Sequence, residues 1–445
     1  MKHVGKLKLN YICTGCGSCE VICPVNAIKL GLDFDFYTPK VDNDLCVSCN
    51  KCLDICPGLE VNNKKLSQKF LAINVQHKSD YILGNYISNY IGYSNNSSLR
   101  FNAASGGIAS HLLLFLLKNN YIDAAIVTKM DEKNPLMTKS IIAHSREEII
   151  NAKTSKYCPT SPITALKKVK AQKKNNKKYA FVGLPCQIQG LRKLQENDEW
   201  FKNNIIFTIG LLCSHSVKYS GTRVILDRLD FRKNKVRQIQ YRGQGWPGQL
   251  NIEAEKTKTS IPLDEYWESY FASYFFTPYR CITCHDLMAE LADISLGDAW
   301  LNEIIEKDDK GSSIMISRTE FAEKIIKEMK NKNSITAYKI NTEKIKESQK
   351  EIIMRRKGAF KYRIELLDFF NKPRPKYEDH SLEEIKNDST KIKLKSYFGS
   401  FLIYLSAFLG STLLGELLIK KTSTRLLKKW SFFIYKFGGR KYHSD

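Results

Sequence analysis

From about Tyr90 to Thr319, short apolar runs alternate with longer mixed stretches. Ala124-Ala125-Ile126-Val127, Tyr179-Ala180-Phe181-Val182 and Ile205-Ile206-Phe207-Thr208-Ile209 have the length and composition of buried strands, whereas Ile108 to Leu117 runs on long enough for a helix. Strands alternating with helices predict an α/β core over residues 90–320. Residues 63–89 are more polar, and the stretch Asn62-Asn63-Lys64-Lys65 reads as a linker. Residues 321–390 read as charged helices with little chemistry in them. The tail, residues 391–445, is both basic and apolar. Tyr397 to Gly415 is a stretch of 19 residues without a charge, bracketed by Lys391, Lys393 and Lys395 before it and Lys420, Lys421, Arg425, Lys428 and Lys429 after it. A spanning helix needs about 20 mostly apolar residues, and Gly399, Ser400, Ser406, Gly410, Ser411 and Thr412 dilute this one. Three readings stay open for the tail: a buried helical hairpin or partner-binding surface, an interfacial amphipathic segment, or a span.

Composition adds that the chain can bury a substantial core, with 43% hydrophobic and 26% charged residues over 445 positions. A formal charge of +24 suits an acidic partner, a nucleic acid or an anionic membrane surface, or simply lysines scattered over solvated faces. No nucleic-acid recognition module appears, so nucleic acid is set aside as a partner. The 13 cysteines change the picture more. An odd number in spaced CxxC runs argues for metal ligation in a reducing compartment rather than for disulfides. Met1 to Ile12 contains no apolar secretion segment. The expectation is a cytoplasmic protein, peripheral at the inner membrane face if the basic tail acts there.

Eight cysteines fall in residues 1–62 as two similar runs, Cys13-x2-Cys16-x2-Cys19-x3-Cys23-Pro24 and Cys46-x2-Cys49-x2-Cys52-x3-Cys56-Pro57. Each matches the bacterial ferredoxin pattern, in which the fourth cysteine serves the other [4Fe–4S] cluster. The expected sets are Cys13, Cys16, Cys19 and Cys56 for one cluster, and Cys46, Cys49, Cys52 and Cys23 for the second. Two residues between thiolates let a tight loop wrap three corners of a cube, with backbone N–H groups turned toward sulfur. Gly15 and Gly17 let the first loop approach closely, and Ala27-Ile28 can cover a cluster from water. Zinc knuckles use two CxxC pairs per metal, not a triple run with a remote fourth ligand.

Five cysteines remain: Cys158, Cys186, Cys213, Cys281 and Cys284. Cys281-Ile282-Thr283-Cys284 could be a zinc half-site, a redox dithiol or a coincidence. Cys186 and Cys213 are each expected where an apolar strand gives way to a loop. With the CxxC they could supply four thiolates to a third cluster. A lone cysteine such as Cys158 is more often a buried structural residue. Ser105-Gly106-Gly107 opens the predicted helix from Ile108, which is either an ordinary cap or a place for phosphate.

In order along the chain stand Arg100-Phe101-Asn102-Ala103-Ala104-Ser105-Gly106-Gly107, Ser155-Lys156-Tyr157, Gly183-Leu184-Pro185-Cys186-Gln187 and Cys213. Tyr241-Arg242-Gly243 with Gly245-Trp246-Pro247-Gly248, Pro278-Tyr279-Arg280-Cys281-Ile282-Thr283-Cys284 and Ala292-Asp293-Ile294-Ser295-Leu296-Gly297-Asp298-Ala299-Trp300 follow. Over residues 90–320 this series resembles the coenzyme F-420 hydrogenase/dehydrogenase beta-subunit family, some members of which carry an N-terminal two-cluster domain. The sequence departs from the family pattern at Cys213-Ser214-His215-Ser216, where many members place a glycine soon after the cysteine.

The resemblance implies FAD in the core, with Ser105, Gly106, Gly107, Ser155, Lys156 and Tyr157 as its contacts. It also implies a third [4Fe–4S] cluster held by Cys186, Cys213, Cys281 and Cys284, and leaves Cys158 unassigned. The fold expected is an α+β ferredoxin-like N-terminal domain, an α/β core and a helical C-terminal extension. The function implied is an iron–sulfur flavoprotein oxidoreductase, with a deazaflavin-type coenzyme or another substrate as hydride partner and a redox carrier or partner subunit taking the electrons. Three rivals are an electron-transfer subunit with clusters and no substrate site of its own, a membrane-associated scaffold, and a zinc-dependent nucleic-acid binder.

Overall fold

The structure, a computed structural model, describes residues 2–7, 9–33, 35–171, 176–231, 235–377 and 388–440. Parts of the regions expected as charged helices (378–387) and as tail (441–445) lie outside the described residues.

The predicted strands all form. They join an eight-stranded mixed sheet. Its centre is parallel: β6 (Ala124–Met130), β8 (Tyr179–Gly183), β9 (Ile205–Leu211) and β13 (Ile294–Asp298). β7 (Thr138–Ala143) closes one edge antiparallel. β14 (Ser313–Ser317), β5 (Ser88–Ser94) and β15 (Ile335–Ile340) extend the other. Successive residues of a strand face opposite sides, and the sequence uses both. On β6, Ala125 and Val127 pack with Leu112, Leu116 and Ile325 on one face, while Ala124 and Ile126 pack with Ile188, Leu191 and Leu194 on the other. Helices Ile108–Lys118 and Glu320–Asn331 therefore cover one side, and helix Pro185–Asn197 the other. Burial on both faces explains why these strands read as continuous apolar runs.

Residues 1–62 hold short helices and one antiparallel hairpin, β1 (Ile28–Asp33) with β2 (Phe36–Val41). This unit is not separate from the core: Cys16, Val21, Ile55 and Val61 share one apolar cluster with Ile163, Leu191 and Ala289. Residues 63–89, expected as a linker, instead fold as helix Asn63–Phe70 and a small hairpin, with Leu66, Leu71, Ile82 and Leu83 buried. The polar surface of this stretch hid its four anchors.

Residues 321–390 also differ from expectation. They supply the edge strand β15 and a π-helical turn, Met354–Gly358, whose Arg355, Arg356 and Lys357 are buried. A second sheet, β10 (Val236–Gln240), β11 (Gln249–Ala254) and β12 (Lys258–Pro262), packs with Cys158 and the aromatic residues Tyr266 and Phe271. The tail forms helices Thr390–Leu409, Leu413–Lys421 and Thr424–Gly438. No single helix among the described residues is long and apolar enough to cross a membrane, and the first two meet at 99°. Gly410 marks that break; a β-carbon there would meet Phe275 O at 1.9 Å.

Candidate iron–sulfur centres and cofactor crevice

The eight N-terminal cysteines gather into two groups of four, with each run lending its last cysteine to the other's group. Burial raises the Cys13 thiol, and the neighbouring charges of Cys56 and Cys16 raise it further. Burial likewise raises Cys19, with Cys16, Cys13 and Cys56 adding to it, and pushes Cys56 to about 11 with help from Cys16. Gly15 N donates to Cys13 Sγ at 3.3 Å, the backbone-to-sulfur bond expected of such a loop. Cys23, Cys46, Cys49 and Cys52 line one pocket roofed by Ala27 and Ile28, and Cys49 is exposed.

The remaining thiols converge as well. Cys213 lies two residues beyond β9. Cys186 sits in the first turn of helix Pro185–Asn197 rather than in a loop, because Pro185 starts the helix as soon as β8 ends. Cys281 and Cys284 come from the one-turn helix Tyr279–Ile282 and its exit. Burial raises Cys186, with Cys284, Cys281, Cys213 and then Cys16 contributing.

The three groups stand in series. Cys52 acts on Cys19, and Cys16 acts on Cys186. The second link is close because Gly190, one turn beyond Cys186, carries no side chain; a β-carbon there would lie 3.1 Å from Cys16 Sγ. Cys158 stays apart, buried in an apolar cluster.

No group of three or more His, Cys, Asp or Glu side chains among the described residues can hold a single metal ion. The surroundings of the thiol groups fit an anionic occupant. Arg280, Arg356 and Arg363 are 5%, 3% and 2% exposed. Arg280 acts on both Cys13 and Cys281, and Arg356 acts on Cys213 and Cys281. Arg356 donates to Cys281 O, and Arg363 Nε donates to Ile282 O at 2.8 Å. Yet Arg280 Nε and Arg356 Nε have no hydrogen-bond partner. Buried guanidinium nitrogens without partners are costly, and a thiolate-bound cluster would supply negative charge beside them.

The segments expected to contact a larger cofactor lie at the carboxyl ends of the parallel strands, where open α/β sheets bind ligands. Ser105 Oγ donates to Ser312 O at 2.8 Å and Gly106 N to Ser313 Oγ at 3.1 Å. A β-carbon on Gly106 would come 2.7 Å from Gly92 O, so the loop reaches this sheet edge only as glycine. Gly107, at φ +73, opens helix Ile108–Lys118 without a side-chain cap, leaving first-turn N–H groups suited to phosphate. Ser313 pairs with Asp298, the last residue of β13.

Asp298 accepts two bonds from Arg242, at 3.0 and 2.9 Å, and one from Trp246 Nε1 at 2.8 Å. Arg242 also donates to Tyr157 OH at 3.4 Å. Ser105–Gly107 and Tyr157 thus both reach the Asp298–Ser313 step. Ser155 is half-buried. Lys156 turns elsewhere: its ammonium donates to the carbonyls of Ala152, Lys153 (2.8 Å) and Thr154 (2.9 Å), and burial pushes its amine down to about 7. A flavin contact through Lys156 would require it to leave those carbonyls. His215 is buried against Tyr274, donates from Nε2 to Phe271 O at 3.1 Å, and is pushed by burial to about 3, so it is a neutral packing group.

Sequence reasoning missed Arg355, Arg356, Arg363 and Gly190. Three cations in a row ordinarily read as solvated surface, and the only local hint was their placement right after the apolar run Ile352-Ile353-Met354.

Residues 89–168 and 176–343 match the N-terminal and C-terminal models of the coenzyme F420 hydrogenase/dehydrogenase beta subunit, and residues 12–58 match the 4Fe-4S dicluster domain. Among relatives, the coenzyme F420-dependent sulfite reductase of Methanocaldococcus jannaschii is 28% identical over 366 residues, covering 78% of this chain and 51% of that protein. The chain thus spans about half the length of that relative. One component of the F(420)H(2) dehydrogenase of Methanosarcina mazei is 26% identical, covering 70% of this chain and 81% of that component. The coenzyme F420 hydrogenase beta subunit of Methanosarcina barkeri is 28% identical, covering 61% and 93%.

A chain in the structure of the F420-reducing [NiFe] hydrogenase complex of M. barkeri shares the fold, with a TM-score of 0.53 at 23% identity, over 67% of this chain and 98% of that one. The relatives are redox enzymes or named components of them, and the dicluster match makes this an iron–sulfur redox protein. With both of its domain models matched in order, the chain belongs to the coenzyme F420 hydrogenase/dehydrogenase beta-subunit family.

Proposed function

We propose that the protein is an iron–sulfur flavoprotein oxidoreductase passing electrons between a hydride partner, FAD and three [4Fe–4S] clusters. The observation that carries this reading is the series of three four-thiol groups running from exposed Cys49 to the strand-end crevice. When bound, the flavin supplies the exchange between a two-electron hydride and single electrons, and the clusters carry single electrons. Cys23, Cys46, Cys49 and Cys52 hold the outer cluster of a ferredoxin-like N-terminal domain, Cys13, Cys16, Cys19 and Cys56 the middle one, and Cys186, Cys213, Cys281 and Cys284 the inner one.

Ser105, Gly106 and Gly107 offer backbone donors to the flavin phosphates, Tyr157 is held toward them by Arg242, and Ser155 and Lys156 complete the contact only if the Lys156 ammonium leaves its backbone carbonyls. Exposed Leu45 and Val47 beside Cys49 give a redox carrier or partner subunit its contact. Thirteen free thiols suit the reducing cytoplasm. The hydride partner is a deazaflavin-type coenzyme, as the names of the relatives suggest, or another substrate.

Anaerobic purification with iron, sulfide and flavin quantified per chain tests this. About twelve irons and one FAD are expected, from three four-iron clusters. Eight irons would remove the inner cluster. One observation favours a second reading, a cluster-only electron-transfer subunit: the Lys156 ammonium is already satisfied by backbone carbonyls. A visible spectrum without flavin bands would decide for it.

A further inference from the structure

The three tail helices are firmly docked on one side. Leu402, Ile403, Ala407 and Ile434 pack with Tyr274 and Ile282, Phe275 stacks on Trp430, and Lys218 donates to Ser411 at 2.6 Å. Their other side is a large apolar surface. Leu394, Phe398, Phe401 and Phe408 are all exposed, at spacings of four, three and seven residues that set them in one stripe along helix Thr390–Leu409. On helix Leu413–Lys421, Leu413 and Leu414 are 85% and 72% exposed, with Leu417 and Leu418 close behind. Folding leaves such residues out only where something else covers them.

Charge identifies the occupant. Residues 390–440 contain ten lysines and arginines against one acid, Glu416, which is itself paired with Lys420 at 2.9 Å. Lys391, Lys393 and Lys395 stand exposed at one end, and Lys421, Arg425 and Lys429 at the other. A second copy of the chain would bring like charges together. Nucleic acid would match the lysines but not the leucines and phenylalanines. Leucine and phenylalanine between basic residues is the composition of a segment lying in the headgroup boundary of an anionic bilayer. The first two helices are long and apolar enough for a span only as a pair, and at 99° to one another they form no straight spanning helix.

We propose that the outer face of the three C-terminal helices is a docking surface for anionic phospholipid, seating the protein on a membrane without crossing it. Co-sedimentation of the purified full-length protein with phosphatidylcholine vesicles, with and without phosphatidylglycerol, tests it. On the order of tenfold more protein should pellet with the anionic vesicles, given the number of basic residues. The double variant Leu413→Glu, Leu417→Glu should fall to the level of neutral vesicles while keeping its iron content. Failure of the parent protein to pellet with anionic vesicles, or pelleting that the double variant leaves unchanged, would overturn the proposal. So would a doubling of mass in solution that the variant abolishes, because the face would then belong to a second copy.

Discussion

At Gly190 a β-carbon would meet Ser18 Oγ at 2.5 Å as well as the Cys16 sulfur at 3.1 Å. Both lie on the loop that wraps the middle thiol group, so Gly190→Val should push that loop outward. Iron should fall by about four atoms per chain, one cube's worth, while circular dichroism stays near that of the parent. His111 makes a different point. Its Nδ1 lies 2.7 Å from Ser94 Oγ behind the Gly106–Gly107 loop, and burial, with Arg146 adding, holds its imidazole below the ordinary 6.5. The folded protein keeps it neutral, so below pH 6.5 the unfolded chain binds the extra proton and stability drops as pH falls. Thermal melts from pH 7.5 to 5 (roughly spanning that transition) should decline less for His111→Asn than for the parent. At this scale the sequence was legible where ligands were local: the eight N-terminal cysteines announce themselves by spacing. Cys186 and Cys284 stand 98 positions apart, and only the β8–β9–β13 topology brings them together.

The element that sequence reasoning misjudged most is the π-helical turn Met354–Gly358. Its cations face inward because the turn packs under helix Tyr279–Ile282, and Arg363 ties it there through the carbonyls of Ile282 and Arg356 (2.8 and 2.7 Å). A positive charge beside a cluster stabilises its reduced, more negative form. If Cys186, Cys213, Cys281 and Cys284 hold a cluster as proposed, Arg356→Gln should lower its midpoint potential by on the order of tens of millivolts, the scale of one charge in a medium of effective dielectric about 20. Potentiometric titration followed by electron paramagnetic resonance measures this, and the middle cluster should move less. The parallel strands, by contrast, were readable from sequence because burial on both faces leaves an apolar run. Helix Asn63–Phe70 was not, since its Leu66 anchor is flanked by Lys64, Lys65, Gln68 and Lys69.

Across the whole molecule, the tail is part of the fold and not an appendage. Leu402, Ile403, Ala407 and Ile434 cover Ile282, next to Cys281. Deleting residues 391–445 should cost roughly 5 kcal/mol or more in lost burial, seen as a lower melting temperature together with reduced inner-cluster iron. Of the motif pieces that point to the family, Arg242 and Trp246 lie 56 and 52 positions before Asp298, yet both bond it at the strand ends. That convergence explains why several weak segments in order were informative when none was alone.

The exposure of Cys49 has a practical side. Air and chelators reach the relay from that end, so damage should proceed inward one cube at a time. A preparation left aerobically should pass through a plateau near eight irons while the crevice is still intact. Such a sample would resemble a protein that never had a third cluster, and iron counted over time, not once, tells ageing from architecture.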